Sequence, residues 1–221
     1  MFHSIAEIFE EGGWGMWPIL GHLVFILAIM FERIFVLYIR SSVKKEEFIK
    51  LLQVPILKGD LNRVLKVCST YQYPLARIVH AGVLKVKRSD EEVQAAMDEA
   101  YLREIPQIEK RVDYLNLLGN TATLAGLLGT ISGLINTFSA IGRPDVDPSQ
   151  RSTLLSQGIS EAMNCTAFGL ATGIVGVLSF AVLTSKAKEI KADIDEGTVR
   201  VLNLIVANRN KMGDIKDDAA A

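Results

Sequence analysis

The sequence predicts an all-α integral membrane protein with three transmembrane helices, and three observations carry that prediction. The 221 residues have an ordinary 22% charged fraction and a formal net charge of −1, yet their mean hydropathy is +0.26. That combination requires charge and apolarity to be segregated along the chain. No Asp, Glu, Lys or Arg occurs in residues 114–142 or 162–185, uncharged windows of 29 and 24 residues, and about 20 apolar residues cross a bilayer core about 30 Å thick. A third uncharged window, 12–31, continues through Glu32-Arg33 into the apolar run 34–39.

Basic residues give the orientation. Of the 24 Lys and Arg, 15 lie in 32–113 and seven in 186–221, none precedes residue 32, and the 143–161 connection has only Arg143 and Arg151. The positive-inside rule places the two basic segments in the cytoplasm and the N-terminus on the other side. Balanced total charge leaves no excess of cations to neutralise phosphates, so no nucleic-acid partner is expected.

The elements follow in order. Residues 1–13 carry Glu7, Glu10 and Glu11 in place of a signal peptide's basic start. Phe2, Ile5, Ile8 and Phe9 give them an apolar stripe, expected to lie as an outer interfacial amphipathic helix in contact with membrane lipid. Transmembrane helix 1 spans 14–39, with Trp14, Trp17 and Pro18 at its outer boundary. A cytoplasmic helical domain spans 40–113. Lys58-Gly59-Asp60 and Tyr73-Pro74 punctuate it, and Ser89-Asp90-Glu91-Glu92 reads as a helix start with acidic residues in its first turn. The pattern over 91–113 suits a long helix interrupted or kinked at Pro106. Transmembrane helix 2 takes 114–142, a periplasmic loop 143–156 and transmembrane helix 3 157–185. A cytoplasmic helix over 186–213 has Ile190, Ile194, Val201 and Ile205 at helical spacing, and 214–221 is a disordered tail. Helices 2 and 3 are therefore expected to extend into the cytoplasm.

The spanning helices carry the chemistry. Thr123, Gly126, Thr130, Gly133 and Thr137 are spaced 3, 4, 3 and 4 and share one face of helix 2. Gly158, Ala162, Cys165, Gly169, Thr172, Gly176 and Ser179 do the same on helix 3, with Thr166 and Gly173 broadening the face. Gly129-xxx-Gly133 and Gly169-xxx-Gly173 are close-approach motifs. On spacing alone, helix packing is the first reading of this small-residue face. A polar pathway lined by hydroxyls is the second. Neither helix 2 nor helix 3 has a charged group in its central portion, so a proton or cation relay would need a carboxylate from another chain. Glu161, at the outer end of helix 3, suits either an entrance or an interfacial end-cap, whereas Glu32 and Arg33 read as structural. His22 reads as a lone interfacial or interhelix histidine rather than a relay. Cys68 and Cys165 lie in different compartments, and no metal-ligand spacing, phosphate loop or nucleophile–base set occurs. No cofactor and no enzyme activity are expected.

The segments Gly-Gly-Trp-Gly-Met-Trp-Pro (12–18) and Phe-Glu-Arg (31–33), then Ile-Glu-Lys-Arg (108–111) leading to Gly-Leu-Leu-Gly-Thr-Ile-Ser-Gly-Leu-Ile-Asn-Thr-Phe (126–138), then Gly-Ile-Ser-Glu-Ala-Met-Asn-Cys-Thr-Ala-Phe-Gly-Leu (158–170) resemble, in order, the three spanning helices of the TolQ/ExbB branch of the MotA/TolQ/ExbB proton channel family. The resemblance implies a homopentamer around a dimer of a single-span TolR/ExbD-type partner, whose membrane aspartate supplies the missing carboxylate. It implies an ion-conducting subunit of a bacterial inner-membrane motor that turns ion motive force into work on a periplasmic or outer-membrane machine. The family's pore threonines fall on Thr130 and Thr166 and its outer helix-3 glutamate on Glu161, while Gly126, Gly129, Gly133, Gly169 and Gly173 stay packing residues. Gln157 and Val175 replace prolines common in the family, which favours a divergent member, for example one serving gliding motility rather than TonB-type uptake or Tol-Pal. The proton is the expected ion, with Na+ kept open by Asn120, Ser132, Asn136 and Asn164. A non-conducting scaffold that recruits an envelope or cytoplasmic assembly is the alternative, and a self-contained channel a third reading.

Overall fold

The structure, a computed structural model, describes residues 12–40, 45–71, 73–144 and 146–213. Most of the expected interfacial helix 1–13 and the expected tail 214–221 lie outside the described residues. Among the described residues every regular element is helical. These elements are α1 (Met16–Ile34, passing into a π-helical turn at Phe35–Arg40), α2 (Lys45–Lys58), α3 (Leu61–Thr70), α4 (Pro74–Val83), α5 (Asp90–Glu109), α6 (Val112–Ile141) and α7 (Pro148–Gly213). Three helical stretches, within 16–39, 90–141 and 148–209, are long and apolar enough to cross a membrane. This is an all-α membrane protein.

The described chain forms two compact units, one of 12–32 and 111–182 and the other of 33–110 and 183–213. The first holds α1 up to Glu32, α6 and the first part of α7. Its buried side chains are few: Met16, Ile19 and Ile26 of α1, Val112, Leu115, Ala122 and Thr137 of α6, and Ala162, Cys165 and Thr172 of α7. Large apolar side chains such as Phe25, Leu124, Leu128, Phe138, Met163, Ile174 and Leu178 are exposed. That inversion suits helices solvated by hydrocarbon, where association depends on close backbone approach rather than on burying Leu and Phe. The seam between α6 and α7 has this character. An ideal Cβ on Gly176 would lie 2.7 Å from the Gly119 Cα, and one on Gly169 would lie 2.8 Å from the Gly126 Cα. Helix α1 joins the seam through Gly15, whose ideal Cβ would lie 3.0 Å from the Cys165 Sγ and 3.3 Å from the Gly129 Cα.

At the other end of this unit, Arg111 precedes α6 with φ +65°, a left-handed conformation that costs a non-glycine residue roughly 1–2 kcal/mol. Its guanidinium Nη1 donates to both Glu32 carboxylate oxygens at 2.7 Å. That charge-assisted contact offsets part of the cost. The interruption expected at Pro106 therefore falls at Lys110-Arg111. Pro106 itself stays inside α5, where its missing N–H and its ring leave the Leu102 carbonyl without a helical partner, and Leu102 is exposed to solvent.

The second unit is a conventional helical core. Phe48, Ile49, Leu52 and Ile56 of α2, Val64 and Cys68 of α3, and Leu75, Ile78, Val79 and Val83 of α4 are buried. So are Val93, Met97, Ile105 and Ile108 of α5, and Leu183, Ala187, Ile190, Ile194, Val201 and Ile205 of α7. The last four form the stripe that the sequence periodicity predicts. Local stops obey residue chemistry. Gly59 closes α2 with φ +75°, and Asp60 caps α3 by accepting the Arg63 N–H at 3.0 Å. Pro74 occupies the first turn of α4, and Ser89 Oγ caps α5 by accepting the Glu92 N–H at 3.2 Å. Ion pairs rim the core: Lys45 reaches Asp193 at 2.9 Å and Glu196 at 2.6 Å, Arg200 reaches Glu46 at 3.2 Å, Lys191 reaches Glu109 at 3.2 Å, and Arg209 pairs with Asp90. Buried Glu104 meets Arg77 at 2.9 Å, and buried Arg33 donates to the Gln107 carbonyl, which lies in the last turn of α5.

Candidate functional site: a hydroxyl pair between two membrane helices

Beside the close approach of Gly126 and Gly169, two threonines face each other across α6 and α7. Thr130 Oγ1 and Thr166 Oγ1 are in direct hydrogen-bond contact, and both side chains are half-buried. Thr130 Oγ1 also lies 3.1 Å from the Gly126 carbonyl of its own helix and 3.1 Å from the Ala162 carbonyl of α7, while Thr166 Oγ1 lies 3.5 Å from the Gly126 carbonyl. The glycines make this meeting possible. With side chains at 126 and 169 the two backbones would stand too far apart for two hydroxyls one carbon beyond Cβ to touch.

Two hydroxyls bring two protons to this cluster. One arrangement has Thr166 donating to Thr130, and Thr130 to Ala162 O or Gly126 O. The reverse has Thr130 donating to Thr166, whose proton then points toward the more distant Gly126 carbonyl. The pair can thus present either a donor or an acceptor to a third group without losing both of its internal bonds, which water, a hydrated cation or a carboxyl requires of a relay site.

Glu161 is five residues from Thr166, a rise of about 7.5 Å along α7 toward its Pro148 end. Its half-buried carboxylate lies over the backbone of Gly13, with the carboxyl carbon 2.9 Å from the position an ideal Gly13 Cβ would take. Cys165 Sγ, one residue from Thr166, donates to the Gly12 carbonyl at 2.9 Å. The structure therefore brings Thr130 and Thr166 together and sets Glu161 apart from them, against the segment that leads into α1.

The other candidates occupy packing positions. Gly126, Gly129 and Gly169 would each put an ideal Cβ within 3.1 Å of the opposing helix, and one on Gly173 would strike the Thr123 methyl. Gly133 is looser, its ideal Cβ 3.5 Å from that of Ala162. Thr137 is buried, donates to the Gly133 carbonyl at 2.8 Å and lies against Gly158. Thr123 donates to the Asn120 carbonyl at 2.7 Å. Thr172 is 1% exposed, with its hydroxyl lacking a hydrogen-bond partner. His22 Nδ1 is 2.7 Å from the Pro18 carbonyl one turn earlier, a bond within its own helix. Asn120 donates to Asn116 at 3.1 Å. Sequence reasoning did not single out Gly119, which meets Gly173 and Gly176, or Gly13 beneath Glu161. Gly119 lies four residues before Thr123, so extending the helix 2 face by one step would have found it, whereas Gly13 gives no signal beyond lying in a Gly-Gly pair.

Fold and site together define a membrane protein in which a hydroxyl pair bridges two of three spanning helices, with no charged residue in the central portion of either. The profile of the MotA/TolQ/ExbB proton channel family matches residues 71–196, and the chain belongs to that family. It is also 26% identical over 187 residues to a protein of Methanothermobacter thermautotrophicus that bears the name biopolymer transport protein ExbB homolog. That alignment takes in 84% of this chain and 64% of the relative, so the chain spans somewhat less than two thirds of that protein's length.

Proposed function

We propose that this protein is the ion-conducting subunit, with the proton as its ion, of a bacterial inner-membrane motor complex that converts ion motive force into mechanical work. The observation that carries the reading is the Thr130–Thr166 hydroxyl contact across the glycine seam, between helices that have no carboxylate in their central portions. A carboxyl brought by a second chain could be met by that pair in either protonation state. The second chain is a dimer of a single-span TolR/ExbD-type protein with a membrane aspartate, and five copies of this subunit surround it. The N-terminus is periplasmic and the C-terminus cytoplasmic. The driven machine lies in the periplasm or outer membrane and belongs to the TonB-type, Tol-Pal or gliding class, with Gln157 and Val175 favouring gliding motility. The subunit itself makes and breaks no covalent bond. One elementary charge crossing 100 mV releases about 2.3 kcal/mol, enough to drive a conformational step per ion.

The test is Thr166→Val, which keeps shape and removes the hydroxyl, in complex purified from its own cells and reconstituted into vesicles. The expected result is an intact complex, with co-purifying single-span chains identified by mass, whose ion flux falls about tenfold or more. Flux at the wild-type level in an assembled complex would reject the pathway. A non-conducting scaffold is favoured by one feature: the two hydroxyls already satisfy each other and nearby carbonyls without an ion. Under that reading Thr166→Val is silent, and substitutions in 186–212 abolish recruitment of the partner assembly.

A further inference from the structure

We propose that Gly13 is a positioning residue for Glu161: the left-handed turn before α1 offers a bare Cα on which the Glu161 carboxylate rests, fixing that carboxylate at the start of α1. Gly13 has φ +63°, where side chains are disfavoured, and the volume a side chain would need is held by the Glu161 carboxylate itself. Two further contacts hold the same turn on α7. The Cys165 thiol, one helical turn from Glu161, donates to the Gly12 carbonyl at 2.9 Å, and an ideal Cβ on Gly15 would lie 3.0 Å from the Cys165 Sγ. Residues 12–15 are thus fitted to α7 over two consecutive turns, and the carboxylate is one part of that fit.

Gly13 stands three residues before Met16, so a carboxylate resting on its Cα lies at the start of α1. The turn therefore keeps Glu161 in place and aimed. A side chain at 13 would push the carboxylate off the helix end while leaving α6, α7 and the hydroxyl pair in place. The inference rests on the ion-pathway reading only for its consequence on flux. The placement of the carboxylate is a separate matter and is measured separately.

The experiment compares wild type, Gly13→Asn and Gly21→Ala in the complex purified from its own cells. Asn adopts positive φ more readily than other side chains, so Gly13→Asn tests occupancy of the space more than backbone strain. Gly21 has nothing within 4 Å of its ideal Cβ and serves as the control. The readout is the rate of carbodiimide labelling of Glu161, which reports how open its carboxyl is to the reagent, relative to exposed Glu109 in the same digest. Gly13→Asn should raise the ratio about threefold, the scale of one lost polar contact, and Gly21→Ala should leave it unchanged. An unchanged or lower ratio in Gly13→Asn overturns the positioning role, whatever the flux. A raised ratio with wild-type flux leaves the positioning role standing and removes Glu161 from the ion pathway. Should Gly13→Asn fail to assemble, amide hydrogen exchange over 12–17 decides in its place. Glu161→Ala should speed it about threefold, again on the scale of one lost polar contact, and identical rates in Glu161→Ala and wild type overturn the proposal.

Discussion

Replacing Gly169 by alanine places a methyl group 2.8 Å from the Gly126 Cα, 3.0 Å from the Ala122 carbonyl oxygen and 3.2 Å from the Gly126 nitrogen. All three are backbone atoms and cannot rotate away. Carbon atoms settle at about 3.5–4.0 Å, so α6 and α7 must separate by about 1 Å near this point, and a gap of that size forfeits roughly a quarter to a half of each dispersion well along the seam. Overpacking of this kind costs about 1–3 kcal/mol. Gly133→Ala, on the same seam, puts its methyl 3.5 Å from the Ala162 Cβ, an ordinary contact, and should be neutral within about 0.5 kcal/mol. The assay is reversible unfolding in mixed micelles, with both variants and wild type titrated side by side. Because separation also parts Thr130 from Thr166, Gly169→Ala should lose ion flux together with stability, whereas Gly133→Ala keeps both. Equal midpoints for the two variants would refute the reasoning, since the chemistry of the substitution is identical and only the distance to the opposing backbone differs.

Ser89→Ala removes the cap of α5 and should cost about 1 kcal/mol, read as a lower unfolding midpoint with an unchanged denaturant slope. Lys45 donates to Asp193 and Glu196, a bond that lowers the Glu196 pKa and raises that of Lys45. A depressed folded-state carboxyl contributes stability that is present above its unfolded pKa of about 4.3 and is lost as pH falls through the folded value. The stability difference between wild type and Lys45→Met should therefore hold steady from about pH 5 to 9 and shrink below about pH 4. Burial pushes the Cys68 thiol up to about 12, so in the folded protein iodoacetamide at neutral pH should leave Cys68 unmodified and label it only after denaturation.

Much of this architecture is written in residue chemistry that acts locally. Uncharged windows mark the spanning helices because a bilayer tolerates few charges at depth, and Ser89, Gly59-Asp60 and Pro74 act within a turn of where they stand. The stripe Ile190, Ile194, Val201 and Ile205 is legible because a helix on a core repeats every 3.6 residues. The break at Lys110-Arg111 is not legible. Arginine carries no preference for positive φ, and the contact that rewards it comes from Glu32, 79 residues away in sequence. The π-helical turn at Phe35–Arg40 has no residue signature either. At the site, the 3-4 spacing puts Thr130 and Thr166 on faces that could meet, but their contact depends on which glycines face each other. Of the motifs the sequence offered, Gly169 does lie in a tight seam, against Gly126, and an ideal Cβ on Gly173 comes 3.0 Å from the Gly119 carbonyl, whereas Gly133 is loose and the close approach of Gly119 to Gly176 stood outside both motifs. Pairing between helices is a property of rotation and offset, which periodicity within each helix leaves open.

The glycine seam has an entropic consequence. A side chain that packs must surrender rotamers, up to about 2 kcal/mol for the most flexible ones, whereas glycine has none to lose. Backbone freedom was already spent when α6 and α7 became helical, so bringing Gly119, Gly126, Gly169 and Gly176 together orders nothing further. A lipid tail that competed for the same groove would have to give up torsional freedom to lie in it. The two helices are thus held by a surface whose association is opposed by little conformational entropy, even though the bilayer supplies no hydrophobic force to close it.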